Sequence, residues 1–274
     1  MGPDKVEKTI SVSGGVTIDG VKSDGNGGYS YTFTGPDGVT KTVSATGGVS
    51  ITGTAYDATS GAYTYSFVGP DGIERKVSAN GSVSMVGTAY DATTGEYSYD
   101  FVGPDGVKRK VSAKGNVTIT GASYNASTGA YTYSFVGPDN MTRTYTATGT
   151  VTMTGVAYNA ETGQYTYSLV DASTGEVSNV TVASSVNITG TKFDATTGTY
   201  TYSLVDASDA ASKTDISVGG GVTLSGAIYN AETGKWSYSF EGTTVNNPSA
   251  ITVGGKVSIT GAYETSDGHW AFDF

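Results

Sequence analysis

Eight copies of one unit of roughly 34 residues run through this chain of 274 residues, and that period constrains its fold more than any other feature. Each copy opens with an apolar stripe that ends in glycine: Val16-Ile18-Gly20, Val49-Ile51-Gly53, Val83-Met85-Gly87, Val117-Ile119-Gly121, Val151-Met153-Gly155, Val186-Ile188-Gly190, Val222-Leu224-Gly226 and Val257-Ile259-Gly261. An aromatic stripe follows each one, from Tyr29-Tyr31-Phe33 and Tyr63-Tyr65-Phe67 through to Trp236-Tyr238-Phe240 and Trp270-Phe272-Phe274. The units start near residues 14, 47, 81, 115, 149, 184, 220 and 255, so residues 1–274 read as one repeat array. Because every copy carries the same residue types in the same order, no position is marked as a unique reaction centre, and the chain reads as a non-enzyme.

Alternation with a period of two marks three strands per unit, here called A, B and C. In the second copy, A runs near Gly48 to Asp57, B near Ala62 to Gly69 and C near Ile73 to Ala79. The A to B link Asp57-Ala58-Thr59-Ser60-Gly61 reads as a hairpin with a three-residue loop, and Gly69-Pro70-Asp71-Gly72 as a second one. On that count Val49, Ile51, Gly53 and Ala55 share a face with Tyr63, Tyr65, Phe67, Ile73, Val77 and Ala79. Ser50, Thr52, Thr54, Thr64, Ser66, Glu74, Lys76 and Ser78 take the other face. The aromatic stripe is then core. From C to the next A, parity runs unbroken through Val43, Ala45, Gly47 and Val49, which favours a strand bending at the glycines over a third hairpin at Asn80-Gly81. Copies related by a simple rotation also require an even number of reversals.

The expected fold class is all-β: eight tandem antiparallel repeats forming a closed ring or propeller-like toroid, or else a solenoid. Gly2-Pro3-Asp4 matches Gly35-Pro36-Asp37, and the aromatic stripe at Trp270-Phe274 lacks a strand C, so the N-terminal strand at 5–13 is expected to complete the eighth unit and close a ring. Forty Gly, twenty Tyr and three Leu fit strands rather than helices. Lys plus Arg number 15 against 25 Asp plus Glu, a net charge of −10 without basic clusters, which excludes nucleic acid as a partner. With no cysteine there are no disulfides or thiolate sites. No stretch is long and apolar enough for a membrane helix, and the opening residues lack a signal-peptide pattern, as a mature region or a designed repeat protein would.

Candidate chemistry is sparse, and no catalytic residue, cofactor or metal site is assigned. His269 is the only histidine and sits in a turn, where a surface role outweighs catalysis. Asp and Asn at the turns lack the spacing of calcium loops and read as turn caps. Lys41, Arg75, Arg109 and Arg143 recur on the apolar face beside the B to C turn, where a long stem covers the core rim with its charge in water, ahead of an anion-binding row. Trp236 and Trp270 replace the Tyr pattern in the last two copies and are the candidates for stacking on a ligand such as a sugar ring, although both occupy core positions. The exposed Ser and Thr rows offer a regular polar surface.

The runs Asp91-Ala92-Thr93-Thr94-Gly95-Glu96-Tyr97 and Asn159-Ala160-Glu161-Thr162-Gly163, set among Thr-, Gly- and Val-rich strands of low charge, resemble the tandem β repeats of bacterial surface adhesins and the variable outer regions of flagellins. The resemblance implies an extracellular or cell-surface element for display or adhesion, with a glycan or a surface protein as partner and no catalytic residues to carry over. Flagellin's terminal helices have no counterpart here. The alternative is an outer-membrane β-barrel pore, with the aromatic face toward lipid, supported by strand length, Tyr content and the terminal Phe274. Gly in every apolar stripe, few Leu and uniformly short turns weigh against it. The oligomeric state is open.

Overall fold

The computed structural model describes residues 8–219, 221–242, 251–253, 259–267 and 269–274, and these hold strands and no helix. A short β1 (Ser11–Ser13) comes first. Groups of three strands then follow the sequence period: β2 (Thr17–Ser23), β3 (Tyr29–Thr34), β4 (Thr40–Thr46); β5 (Ser50–Asp57), β6 (Ala62–Val68), β7 (Glu74–Asn80); β8 (Ser84–Asp91), β9 (Glu96–Val102), β10 (Lys108–Lys114); β11 (Thr118–Asn125), β12 (Ala130–Val136), β13 (Thr142–Thr148). The second half supplies β14 (Val151–Asn159), β15 (Gln164–Asp171), β16 (Val177–Ala183); β17 (Val186–Asp194), β18 (Thr199–Asp206), β19 (Asp209–Gly219); β20 (Thr223–Asn230), β21 (Lys235–Glu241), β22 (Ile251–Val253); and β23 (Gly261–Glu264), β24 (Trp270–Asp273). The expected Val257 and the unit starts at 220 and 255 lie outside the described residues.

The B to C hairpin forms as the turn residues dictate. In the first copy Gly35 N donates to Val39 O at 3.1 Å and Gly38 N to Gly35 O at 3.0 Å, with Gly38 at φ of 73°, a three-residue loop ending in a left-handed residue; Gly72 N to Gly69 O at 3.0 Å, with Gly72 at 73°, repeats the turn. Asn140 takes that left-handed place, with φ of 58°, where the fourth copy has no glycine.

The A to B hairpin differs from expectation in two compensating ways. Its loop holds four residues, because Asp57 pairs with Ala62 and Gly61 N donates to Asp57 O at 2.8 Å. A β-bulge between Ile51 and Gly53 then restores the expected pairing of Ile51 with Phe67. Between bulge and loop the faces are exchanged. Thr54, opposite Tyr65, is buried at 3% exposure, and Tyr56 stacks beside Tyr63 with ring centroids 4.9 Å apart. Gly53 and Ala55 therefore leave the core face assigned to them from parity. Ile73 also fails to join the core: it lies past the end of the aromatic stripe and is 57% exposed.

The link from C to the next A is a reversal between two sheets. Gly47 and Gly48 have φ of 67° and 79°, and Val49 N donates to Thr46 O at 3.3 Å; Gly81 and Ser82 repeat this with 63° and 66°. Two successive left-handed residues make a tight turn that only glycine adopts without cost. The flanking strands do not pair with each other. β4 belongs to one sheet and β5 to another, so the expected bend is corrected to a sharp crossover turn. A twofold step between neighbouring copies reverses strand direction, and two steps restore it. Strand C accordingly lies parallel to strand A of the copy after next: Ser44, Ala45 and Thr46 of β4 pair with Gly87, Thr88 and Ala89 of β8.

The strands divide between two compact units, Met1–Ser127 with Tyr131–Thr142, and Thr128–Ala130 with Arg143–Phe274. In the first, the two sheets have the orders β1-β5-β6-β7-β11-β12 and β2-β3-β4-β8-β9-β10. In the second, they are β13-β17-β18-β19-β23-β24 and β14-β15-β16-β20-β21-β22. The core of each unit is made by the aromatic stripes of successive copies meeting between its sheets. Phe33 lies 6.4 Å from Tyr65, Phe67 5.7 Å from Tyr99, and in the second unit Phe240 5.7 Å from Phe272. Tyr65, Phe67 and Tyr99 are fully buried, as the stripe predicts.

The ring expectation is not met among the described residues. Of the strand expected at 5–13, residues 5–7 lie outside the description, and Ser11–Ser13 pairs in parallel with Gly53–Ala55 of β5, in the second copy rather than the eighth. The cause is the crossover rule itself: a strand C placed before the first copy finds its neighbour two copies on. β1, β2, β22 and β24 each have one neighbour, so neither sheet closes as a barrel.

A Cβ on Gly47 would stand 1.9 Å from the carbonyl oxygen of Tyr90 in β8, whereas nothing lies within 4 Å of one on Gly61, whose φ is 70°. Gly61→Ala is expected to cost about 1–2 kcal/mol through its left-handed backbone alone. Gly47→Ala adds a backbone clash and is expected to cost about 3 kcal/mol or more. Chemical denaturation of both variants checks this, and equal losses would contradict it.

Candidate functional site

The recurring cluster of charged and aromatic groups lies at the Gly-Pro-Asp-Gly turns. At the second turn, Asp71 caps the loop by accepting from Ile73 N at 3.1 Å and takes a bidentate contact from Arg75, Nη1 to Oδ1 at 3.0 Å and Nη2 to Oδ2 at 2.6 Å. The Arg75 guanidinium then lies 3.9 Å above the ring of Tyr97, which opens the aromatic stripe of the next copy and belongs to the other sheet. Gly69 leaves room for that ring, since a Cβ there would fall 1.9 Å from the Tyr97 hydroxyl. Arg109 repeats the arrangement with Asp105 and Tyr131, at 2.5 Å and 3.9 Å, and the Tyr131 hydroxyl donates to Asp105 at 3.1 Å.

Lysine makes a looser version of the same clamp. Lys41 Nζ stands 4.7 Å over Tyr63 and donates to Ser84 at 2.7 Å, while the Tyr63 hydroxyl donates to Asp37 at 2.6 Å. A polar hollow lined by Asp37, Lys41, Tyr63, Asn80 and Ser84 opens there. Lys8 covers Tyr29 at 4.0 Å in the same way. In the second unit Arg143 lies 4.2 Å over Tyr165, is 2% exposed, and donates from Nε to Asn187 at 2.9 Å and from Nη2 to the Ser184 carbonyl at 2.8 Å. The basic row therefore does not hold its charge in water. The side chains of Arg75 and Arg109 are 9% and 17% exposed, with the guanidinium flat between a carboxylate and a ring.

These neighbours move the acidities as paired charges should. The hydrogen bonds from Arg75 hold Asp71 down to about 2, and Arg109 holds Asp105 well below the usual carboxylate range. Burial pushes Tyr97 and Tyr131 up to about 12. With each carboxylate ionised, each tyrosine neutral and each cation engaged, the cluster joins one copy to the next.

Trp236 is corrected from stacking candidate to core residue. It is 7% exposed, stacks on Tyr238 with ring centroids 5.9 Å apart, and donates its indole N–H to the Ser212 carbonyl at 3.1 Å. Trp270 is half-buried at the last described hairpin and lies against Phe272, with centroids 6.2 Å apart, and against Phe240. The two tryptophans fall in different strands, and Trp236 has no open ring face. His269 has a side chain 80% exposed, and its backbone N–H donates to Thr265 Oγ1 at 3.2 Å. The turn Asp and Asn residues act as caps: Thr59, Thr93, Glu161 and Glu232 donate their backbone N–H to Asp57, Asp91, Asn159 and Asn230. Among the described residues no cluster of His, Cys, Asp and Glu is arranged to hold a metal ion.

The outward faces carry paired hydroxyls between strands B and C, with Ser30 to Ser44 at 2.8 Å, Thr64 to Ser78 at 2.8 Å and Thr166 to Thr181 at 3.0 Å. The sequence pointed to these rows. The aromatic clamps were not anticipated, although the order Gly, Pro, Asp, then a basic residue, repeated before the stripes that start at Tyr29, Tyr63, Tyr97, Tyr131 and Tyr165, carried the signal.

No family model matches the chain, and no curated protein matches it. Solved structures overlap it weakly. A chain of the mitotic checkpoint complex overlaps at 8% identity, covering 97% of this chain and 83% of that one with a TM-score of 0.20. A chain of the nidogen/laminin complex overlaps at 9%, covering 58% and 72% with 0.13. Hydrazine synthase of Kuenenia stuttgartiensis overlaps at 9%, covering 94% and 99% with 0.19. Overlaps of this size carry no argument about fold or activity.

A pH test follows from the clamp. Asp71 has a folded value of about 2 against an unfolded value near 3.9, so its contribution is fully present above pH about 4 and is lost as pH falls through about 2. Asp71→Asn is expected to lower stability at neutral pH by no more than about 1 kcal/mol, since the pair is partly solvated. It should also flatten the loss of thermal stability between those two pH values. Parallel curves for the variant and the parent would contradict the clamp.

Proposed function

We propose that the chain is a non-enzymatic structural and binding scaffold, built from eight copies of one three-stranded element and working outside the cell in surface display or adhesion. The observation that carries this reading is where the reactive side chains are used. At the Gly-Pro-Asp turns the aspartates, the basic residues Lys41, Arg75, Arg109 and Arg143 and the facing tyrosines are engaged in holding one copy to the next at the seam between sheets. What remains outward is a polar surface of Ser and Thr hydroxyls, suited to contact with glycans or a surface protein. The likeness of the Asp-Ala-Thr-Thr-Gly turns to those of surface adhesins supports the same setting.

Burial of the aromatic stripes between sheets weighs against the outer-membrane pore, which needs them against lipid. The scaffold reading expects a monodisperse or reversibly associating protein in buffer without detergent, with unchanged near-ultraviolet circular dichroism when micelles are added. A chain that folds only with micelles would overturn it in favour of the pore. Under the binding role, a glycan array is expected to give signal that is lost on replacing outward residues such as Thr64 and Thr166, while an array blank for both parent and variant would leave display alone as the role.

A further inference from the structure

β2 is a strand A whose usual neighbour is missing. In the other pairings described, strand A lies beside a strand C in parallel: β5 with β1, β8 with β4, β11 with β7, β17 with β13, β20 with β16 and β23 with β19. β2 pairs with β3 alone. Its inward side chains are correspondingly open. Ile18 is 38% and Val21 54% exposed, whereas their counterparts Ile51 and Thr54 are 1% and 3%, and Leu224 and Ala227 are 0% and 1%. Val12 of β1, the end strand of the other sheet, is 39% exposed.

A second observation is independent of this exposure. The glycine after the bulge in strand A accommodates the parallel neighbour: a Cβ on Gly53, Gly190 or Gly226 would stand 3.0 Å from the carbonyl oxygen of Ser11, Thr146 or Thr181. Gly20 occupies the same place, and nothing lies within 4 Å. It has the form of a docking position without its strand.

The chain also carries the missing pieces. β22 is a strand C with β21 as its one neighbour, and β24 is a strand B with β23 as its one neighbour. Nearby, Phe274 is 71% exposed. β22 offers what β2 lacks, a strand C, and β1 offers what β24 lacks. We infer that β2 and β1 of one molecule dock head to tail onto β22 and β24 of a second copy, extending both sheets by the rule that orders them within each unit.

The register follows from β16 and β20, where Thr181 pairs with Gly226 and Val182 with Ala227. Thr252 and Val253 hold the matching places in β22, since Val253 faces Trp236 as Val182 faces Tyr165. Thr252 is therefore set opposite Gly20, and Val253 opposite Val21. Antiparallel pairing of β24 with β1 likewise sets Trp270 opposite Val12, as Tyr29 stands opposite Ala45. A twofold pairing of β2 with itself would put two A strands side by side, an arrangement found in neither sheet among the described residues. The head-to-tail contact is heterologous, so each docked copy leaves a further β2 or β22 edge free to take another, and association runs past the dimer.

Sedimentation velocity on the whole chain, from micromolar to sub-millimolar concentration, is expected to show a concentration-dependent ladder of dimers and longer species. Val21→Lys alters an exposed side chain in the monomer but buries an unpaired charge in the contact. It should weaken association by about 100-fold or more with the melting temperature unchanged. Because the chain lacks cysteine, Val21→Cys and Val253→Cys made singly and mixed under oxidation should link to each other faster than Thr64→Cys links to Val253→Cys. A monomer at every concentration, association indifferent to Val21→Lys, or no preference in crosslinking would each overturn the inference. So would a disulfide forming within one chain of the Val21→Cys, Val253→Cys double variant at a rate independent of concentration.

Discussion

The two-residue turn that carries the chain from strand C of one copy to strand A of the next, in the facing sheet, is the constraint on which the rest of this structure depends. Both central residues are left-handed at Gly47-Gly48, Gly81-Ser82 and Gly115-Asn116, Gly149 alone is at the next turn, and neither is at Ser184-Ser185, yet the chain changes sheets at each of them. The first glycine of that turn also presses on the backbone of a strand A two copies later, at Tyr90 for Gly47 and at Tyr124 for Gly81. One short turn thereby sets both the crossover and the spacing along the sheet.

Two kinds of contact follow from the crossover. Along a sheet, copies separated by two are joined by parallel backbone pairing, which the post-bulge glycine permits by bringing no side chain to the seam. Across the core, adjacent copies are joined by aromatic contacts and, at the rim, by the Asp, Arg and Tyr clamp. The clamp explains how a basic residue sits on an apolar face. The guanidinium keeps a carboxylate in its plane and a ring against its flat side, so its loss of water is offset by two oriented partners. Lys41, a compact charge without that flat face, stands 4.7 Å from the ring of Tyr63 against 3.9 Å for Arg75 at Tyr97, while Lys8 reaches 4.0 Å at Tyr29.

Much of this was legible in the residues, and the misses have physical causes. Strand identity, the B to C turn and the burial of Tyr65 and Phe67 followed from period two and from Gly-Pro-Asp-Gly. The A to B register was right at Ile51 and wrong at Thr54, because a loop longer by one residue and a bulge cancel beyond Gly53 and leave no net trace in parity. The crossover was read as a bend because alternation continues through Ala45, Gly47 and Val49 whether the chain stays in one sheet or changes sheets. Pairing between copies separated by two has no local signature, and the N-terminal strand expected in the eighth unit joined β5 for that reason. For candidate sites, the exposed place of His269 and the capping role of the turn acids were readable. The burial of Trp236 in its stripe followed from position.

Backbone proximity between β4 and β8 tests the crossover most directly. In a deuterated, amide-protonated sample, nuclear Overhauser cross-peaks are predicted between the backbone of Ser44, Ala45 and Thr46 and that of Gly87, Thr88 and Ala89, in parallel register. Cross-peaks joining Ser44 and Ala45 to Ser50 and Ile51, as a hairpin within one sheet requires, would contradict the account.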